Sequence, residues 1–411
     1  MTGRERTSPV ASERRIVVLG ATGSIGTQTL DVVERYPQLG RVHGLAVGGS
    51  RPQLVAEQVA RHRPDHLAVA QEQDIDAVER AVAEALPDGP RPRIDGGAAA
   101  VEALAGSLGP EDAVVNGITG SVGLRPTLAA LASGARLALA NKESLIVGGE
   151  LVTRAAAPGQ LLPVDSEHTA IAQALAGVRP DQVGRLVVTA SGGPFRGRTR
   201  DQLREVDPAQ ALAHPTWAMG RVITTNSATL VNKALEVIEA CWLFDMPEDR
   251  VDVVVHPQSI VHSMVTLVDG STIAQASPPD MRHAIGWALA HPEKLPGLAA
   301  ALDFRAPQQW TFEPVDEDTF GAIRLARAAH RQGQGAMAAY NAANEEAVAA
   351  FLDGRLPFLD ILEVIRAAVE DPERPRVGVE QGVVGVLEVE ERARTAARED
   401  IARRTGAREA R

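Results

Sequence analysis

The chain is poor in cysteine, in aromatic residues and in positive charge, and each shortage closes off a class of function. Its single cysteine, Cys241, can form neither an internal disulfide nor a thiolate zinc site. That usage fits the reducing cytoplasm, and Cys241 reads as a small apolar residue on a helix. Lysine and arginine number 42 against 53 acidic residues, a net charge of −11, with aromatics at 3%. Phosphate neutralisation and base stacking therefore have no evident source, which argues against a nucleic-acid partner. No apolar run approaches the length of a membrane span, and the opening "MTGRERTSPVASERR" has no apolar core of signal-peptide length, so no membrane partner is expected. What is present is 45% apolar residues over 411 positions, enough for an ample core and too long for one ordinary domain. An anionic ligand would have to be held by a few placed cations and by backbone dipoles.

The first part alternates β-rich runs with amphipathic helical patterns: "RRIVVLG", then "TQTLDVVERYP", then "RVHGLAV", then "RPQLVAEQVARHRP". "HLAVA", "AVVNG" and "RLALAN" continue the strands between alanine-rich helices, and this rhythm predicts a parallel, doubly wound α/β domain over residues 1–160. Residues 161–291 read as an α+β domain with a mixed or antiparallel sheet. Its strands are "GRLVVTAS", "DRVDVVVHP", "VHSMVTLVDG" and "STIAQAS", interrupted by one long helix "SATLVNKALEVIEACWLF". A proline-spotted linker, 292–314, precedes a helical bundle over 315–411, and no multi-copy repeat is present.

"VVLGATGSIGTQTL" sets Gly20, Gly23 and Gly26 between a strand and a helix, at the opening of the first βαβ unit. There a glycine loop lets backbone approach a pyrophosphate, and the following helix offers unpaired N–H groups. An NAD site usually ends the next strand with an acid for the ribose 2′-hydroxyl; this chain reads "GLAVGGSR" instead. Gly48, Gly49 and Ser50 leave room, Arg51 is close by, and no carboxylate is there to repel a 2′-phosphate, so NADPH is favoured over NADH. "NGITGSVG", Asn116 to Gly123, echoes the first loop; it reads either as a second phosphate loop or as a tight strand-to-helix turn, and both readings stay open.

In "PVDSEHTAIAQAL", Asp165 and Glu167 project to one side if the loop is extended, which suits a hard divalent cation. A third carboxylate is available on the long helix, where Asn232 and Glu236 share a face beside Lys233. The competing reading, an N-cap on the helix "EHTAIAQAL", is compatible with metal binding. Ser191, in the glycine-rich turn "TASGGPFRG", can offer a hydroxyl to an anion, or belong to an ordinary loop. "HPTWAMGR" places Trp217 and Met219 among loop formers, as a lid or as core anchors. Ser227 reads as a helix start, either a plain cap or, with Asn232 and Lys233, a phosphate cradle. His256 and His262 are left outside the metal shell, because strand histidines are more often hydrogen-bonded structure.

Together these stretches resemble the 1-deoxy-D-xylulose 5-phosphate reductoisomerase family. The likeness runs over nearly the whole chain: "GATGSIG", "ALANKESL", "LLPVDSEHTAI", "SGGPFRG", "HPTWAMGR", "NSATLVNKALEVIEA", "HPQSIVHSMV" and "NAANEEAVAAF" occur in order. The resemblance implies a homodimer of three-domain subunits with a Rossmann-type coenzyme domain, a central catalytic and dimerisation domain and a C-terminal helical domain. It also implies NADPH and one divalent cation (Mg2+, Mn2+ or Co2+) as cofactors. By resemblance Asp165, Glu167 and Glu236 are the metal ligands, while Lys142 and Ser166 contact the substrate's oxygenated carbons. Ser191, Ser227, Asn232, Lys233 and His214 take its phosphate. Thr22, Gly23, Ser24, Ile25, Gly48, Gly49, Ser50, Asn141, Glu143 and Gly220 contact the coenzyme, Trp217 and Met219 form the flap, and His168 and His262 stand behind. Many relatives carry Lys-Asn where this chain has Gly49-Ser50, so Arg51 is the substitute candidate for the 2′-phosphate.

The implied chemistry is a metal-assisted retro-aldol and aldol rearrangement of 1-deoxy-D-xylulose 5-phosphate, then reduction by NADPH to 2-C-methyl-D-erythritol 4-phosphate. Two alternatives compete: another NADP-dependent dehydrogenase of a phosphorylated or semialdehyde substrate, and a coenzyme-binding regulator without catalysis. The three-carboxylate set is superfluous to the first and counts against the second.

Overall fold

The computed structural model describes residues 14–217 and 219–409. Residues 1–13, most of the stretch read as lacking a signal-peptide core, lie outside that range. The described residues divide into two compact units: residues 14–140, 156–164 and 281–298 form one, and 141–155, 165–280 and 299–409 the other.

The first unit is built on seven strands, β1 Arg15–Leu19, β2 Arg41–Val47, β3 His66–Val69, β4 Arg93–Gly96, β5 Ala113–Asn116, β6 Arg136–Leu139 and β7 Leu161–Pro163. All pair in parallel, in the order β4-β3-β2-β1-β5-β6-β7. β1 shows why the run "IVVL" reads as a central strand: Ile16, Val17, Val18 and Leu19 are all fully buried, each worth about 1.5–3 kcal/mol of apolar burial. The strand order reverses between β1 and β5, the position at which open α/β sheets bind ligands. Both glycine loops emerge there. Gly20, at φ +76°, is so close to the second loop that a Cβ on it would lie 2.7 Å from the Gly117 carbonyl oxygen.

The boundary expected at residue 160 shifts in two ways. β7 is the last strand of the first sheet, and residues 281–298 return to the first unit. In that return the helix Arg282–Ala290 packs against the helix Ser24–Arg35. Two guanidiniums meet the carbonyls at its C-terminal end: Arg14 donates to Leu289 O at 2.6 Å and Arg136 to His291 O at 2.9 Å.

The second unit has a mixed sheet in the order β11-β10-β8-β9-β12. Its strands are β8 Val183–Ala190, β9 Val251–Val255, β10 Val261–Leu267, β11 Thr272–Ala276 and β12 Glu313–Pro314. β12 falls within the expected linker and pairs antiparallel with β9. The helices Ala322–Gln332, Gln334–Leu352, Asp360–Glu370 and Gly382–Glu409 form the bundle. It shares one hydrophobic core with the sheet rather than standing apart. The cause is the helix Gln334–Leu352, on which alanines 336, 338, 339, 342, 343, 347 and 350 are buried together with Met337, Tyr340, Val348 and Phe351; a helix buried over most of its circumference must be enclosed. It packs against Asp360–Glu370, Gly382–Glu409 and the short helix Lys142–Gly148. Gln334 donates to the Ile146 and Val147 carbonyls at the end of that short helix.

The single long helix expected over "SATLVNKALEVIEACWLF" is two helices, Arg221–Ala228 and Val231–Phe244. Leu230 between them takes φ +59°, a conformation costing a non-glycine residue about 1–2 kcal/mol; its burial at 4% exposure holds it there. Thr224, Thr225 and Thr229 prepare the break, each turning its hydroxyl onto backbone carbonyls of the preceding turn. Ser227 therefore lies near the end of the first helix, not at a helix start.

Candidate active site

Asp165 comes two residues after the end of β7 and caps the helix Ser166–Ala174: its Oδ1 accepts from Glu167 N at 3.0 Å and His168 N at 3.3 Å. The capping reading and the ligand reading are thus both available, because Oδ2 stays on the other side, 3.4 Å from Lys142 Nζ. Lys142 opens the helix Lys142–Gly148 and donates also to Asn232 Oδ1 at 2.9 Å and Glu236 Oε1 at 3.1 Å. Asn232 Nδ2 donates to Glu236 Oε1 at 2.5 Å, the i, i+4 contact expected on one helix face. Lys233 Nζ lies 2.6 Å from Glu167 Oε1 and pairs with Glu236, while the Ser166 hydroxyl donates to Glu167.

Asp165, Glu167 and Glu236 each offer an oxygen within 4.8 Å of the others. The set suits a hard divalent cation: the donors are all carboxylate oxygens, and an octahedral shell with bonds of about 2.1 Å spans about 4.2 Å. Three carboxylates against two ammoniums also leave negative charge to attract it. Burial, and then the neighbouring Glu236, push the Glu167 carboxyl up to about 7. Burial alone would raise Asp165 too, but Lys142, His168 and Lys233 outweigh it and hold that carboxyl below the usual range. Burial works to lower Lys142, and Glu236 and Asp165 overcome it, so the ammonium is held more firmly than usual.

Behind the carboxylates stands His168, fully buried. Its Nε2 donates to the Glu236 backbone carbonyl at 2.9 Å, and its Nδ1 lies 3.3 Å from both Asp165 Oδ1 and Glu239 Oε2. Glu239, 1% exposed, was missed in the sequence. The available signal was its spacing from Glu236 in "LEVIEA", one turn on along the same helix. Burial pushes its carboxyl up to about 7.

The expected phosphate residues do not all come together. Ser191, after β8, and His214 are bonded: Nδ1 of His214 accepts from Thr216 N at 3.1 Å and Trp217 N at 2.9 Å. Its Nε2 therefore carries the proton and donates to Ser191 Oγ at 3.1 Å. Burial holds His214 below the ordinary imidazole pKa, in keeping with a neutral ring. Gly193 N donates to the same hydroxyl at 3.2 Å, and Gly193, at φ +67°, backs onto the Ser227 carbonyl oxygen. Asn232 and Lys233, by contrast, put their polar ends among the carboxylates. Of the residues expected to form a flap, Trp217 lies 6.2 Å from the His262 ring, and Met219 is half-buried. His262 Nε2 donates to Ser277 O at 3.1 Å. His256 is structural: Nδ1 donates to Thr311 O at 2.9 Å and Nε2 accepts from Val261 N at 3.1 Å.

The coenzyme candidates fall in both units. Thr22 to Ile25 and Gly48 to Ser50 belong to the first, where the Arg51 guanidinium reaches the Thr22 carbonyl. Gly49, at φ +109°, backs onto Asp74, so no lysine side chain could stand there without displacing it. Asn141, Glu143 and Gly220 belong to the second unit. Asn141 caps the Lys142 helix through Ser144 N and donates to Glu143 at 2.8 Å. The second glycine loop is pinned by Asn116, which accepts from Ile118 N at 3.1 Å and donates to Gly123 O and Thr127 Oγ1.

Comparison with known proteins gives a consistent result. Residues 16–149 match the family described as 1-deoxy-D-xylulose 5-phosphate reductoisomerase, and 161–244 and 276–396 match two descriptions of its C-terminal domain. The reductoisomerase of Streptomyces avermitilis is 55% identical over 93% of this chain and 97% of its own length. That of Nocardia farcinica is 54% identical, covering 91% of each. A crystal structure of DOX-P reductoisomerase with NADPH, fosmidomycin and magnesium matches at TM-score 0.88 and 36% identity, over 95% of this chain and 98% of that one. The Zymomonas mobilis enzyme in complex with NADPH matches at TM-score 0.85 and 38% identity, over 95% and 99%.

Proposed function

The chain belongs to the 1-deoxy-D-xylulose 5-phosphate reductoisomerase family, and from that premise we propose which of its residues do the work. It is an NADP-dependent oxidoreductase that, with a divalent cation, converts 1-deoxy-D-xylulose 5-phosphate to 2-C-methyl-D-erythritol 4-phosphate in non-mevalonate isoprenoid synthesis. Asp165, Glu167 and Glu236 are our assignment for the cation, and the observation that carries it is their convergence within 4.8 Å. Bound there, the cation supplies Lewis acidity toward the substrate's carbonyl and hydroxyl oxygens, and NADPH supplies hydride.

The chain's own part is positioning and charge. Lys142, a firmly held ammonium at the edge of the carboxylates, donates hydrogen bonds to a substrate oxygen as negative charge grows on it. Ser166, between two ligands, contributes its hydroxyl to the same oxygens. The His214 Nε2–H, the Ser191 hydroxyl and the Gly193 N–H hold the phosphate, with Ser227 at its back. Because His214 accepts from Trp217 N, a phosphate gripped by its ring pulls on the flap that Trp217 and Met219 form. Asn232 and Lys233 remain phosphate candidates only if their ends leave the carboxylates.

For NADPH we assign the pyrophosphate to Thr22, Gly23, Ser24 and Ile25. The adenosine end falls to Gly48, Gly49, Ser50 and Arg51, and Asn141, Glu143 and Gly220 complete the set. We also propose a cytoplasmic homodimer. The open edge strand β11, with Thr272, Ile273 and Ala274 exposed, supports pairing with a second copy, and among the described residues no helix is long and apolar enough to cross a membrane. Light scattering tests the dimer. The deciding assay for the site is NADPH oxidation with 1-deoxy-D-xylulose 5-phosphate before and after chelation, in wild type and Glu236→Gln. Metal-dependent turnover that survives in the variant would remove Glu236 from the ligand set.

A further inference from the structure

One buried acid has no task in that assignment. Glu239 sits on the Val231–Phe244 helix, one turn beyond Glu236, with 1% exposure. An ionisable group is a poor choice for mere filling, since burial without a partner is costly and a leucine would pack as well. Its Oε2 is 3.3 Å from His168 Nδ1, and neither atom has a hydrogen-bonded partner in line.

The His168 ring touches both helices that bring the three carboxylates together. Its Nε2 meets the Glu236 carbonyl at 2.9 Å, which can only accept, so Nε2 carries a proton. Nδ1 then faces two carboxylate oxygens, those of Asp165 and Glu239, each at 3.3 Å. Glu239 thus closes off one side of the ring, while the other touches Asp165 and the turn that carries Glu236.

We propose that Glu239 is a positioning residue for the divalent-cation site, acting through His168 to set the separation of Asp165 and Glu236. The inference rests on those two residues and Glu167 being the ligands. Supporting residues of this kind typically change metal affinity about 10–100-fold when removed.

The test is Mn2+ affinity by electron paramagnetic resonance, beside NADPH affinity by fluorescence and thermal melting, in the full chain. Glu239→Leu keeps volume and removes hydrogen bonding; Mn2+ affinity should fall at least about tenfold with NADPH affinity unchanged. Glu239→Gln, whose amide can still donate to Nδ1, should stay within about threefold of wild type. Wild-type Mn2+ affinity in the leucine variant overturns the proposal, as does an equal loss in both variants. Should the leucine variant fail to fold, Glu239→Asp decides: it keeps the charge but withdraws the oxygen by one methylene, and unaltered Mn2+ affinity there counts against the role. Glu236→Gln separates the two levels. If it binds Mn2+ normally, the ligand assignment fails; if it loses binding while Glu239→Leu does not, only the role of Glu239 falls.

Discussion

The carboxylate cluster and the Ser191–His214 loop lie in the same unit and are built on opposite principles. The cluster is made of formal charges: three carboxylates and two ammoniums, buried and interlocked. The loop is made of neutral donors, a hydroxyl, an imidazole N–H and a backbone N–H. The cluster is held together internally, because its lysines balance its acids. The loop carries no balancing charges: its imidazole and backbone N–H groups meet on the Ser191 hydroxyl, so its shape depends on backbone geometry. Loss of a charge should therefore hurt the first far more than loss of a donor hurts the second.

The largest effect is expected at Glu236. Glu236→Gln should lower turnover by about a thousandfold or more, given the several kcal/mol a catalytic metal contributes, and leave the NADPH dissociation constant as it was. Lys142→Met comes next, with kcat down about 100-fold, as for loss of one donor to a developing oxyanion. It should also lower stability in chelator by about 3 kcal/mol in urea unfolding, since buried acids lose their partner. His214→Ala should act differently, raising KM for the sugar phosphate about tenfold or more with a smaller change in kcat and none in Mn2+ affinity. An equal fall in kcat would mean that the two regions are not separate in function. Gly193→Ala tests the backbone side: the new Cβ would lie 2.7 Å from the Ser227 carbonyl oxygen, and KM should rise about tenfold or less, for a strain of about 1–2 kcal/mol.

The smallest effect concerns pH. Burial depresses the folded-state pKa of His214, so the unfolded chain takes up the proton first on acidification. Stability from this group is whole above the unfolded value of about 6.5 and is lost as pH falls toward the lower folded value. Melting curves from pH 7.5 to 5.5 should thus decline slightly more steeply for wild type than for His214→Gln, and parallel declines would refute the neutral-ring assignment.

Much of this was legible in the residues. The run "RVHGLAV" is β2 from end to end, and the three carboxylates expected to share a cation converge. What escaped did so for identifiable reasons. β4 is "RIDG", with no buried position, and β7 is three residues long and ends in proline, so neither shows an apolar run. No glycine or proline marks the break at Leu230, which depends on tertiary burial overriding propensity. The placement of Lys233 turns on which of two neighbouring sites its flexible stem reaches, and spacing along a helix cannot decide that. The shared core of sheet and bundle follows from one largely buried helix, whose alanines look like ordinary helix formers in the sequence.

The routing of the chain has a last consequence, for heredity rather than chemistry. Each unit is assembled from three separate stretches, so the polypeptide passes between them five times. Two of those passages lead straight into residues of the proposed site: β6 ends at Leu139, three residues before Lys142, and β7 ends at Pro163, two residues before Asp165. No single cut releases either unit whole, because residues 141–155 belong to the second and residues 281–298 return to the first. The coenzyme module therefore cannot be traded by one recombination event, as a cassette on a linker can. Innovation in such a protein has to come one side chain at a time, with both halves inherited together.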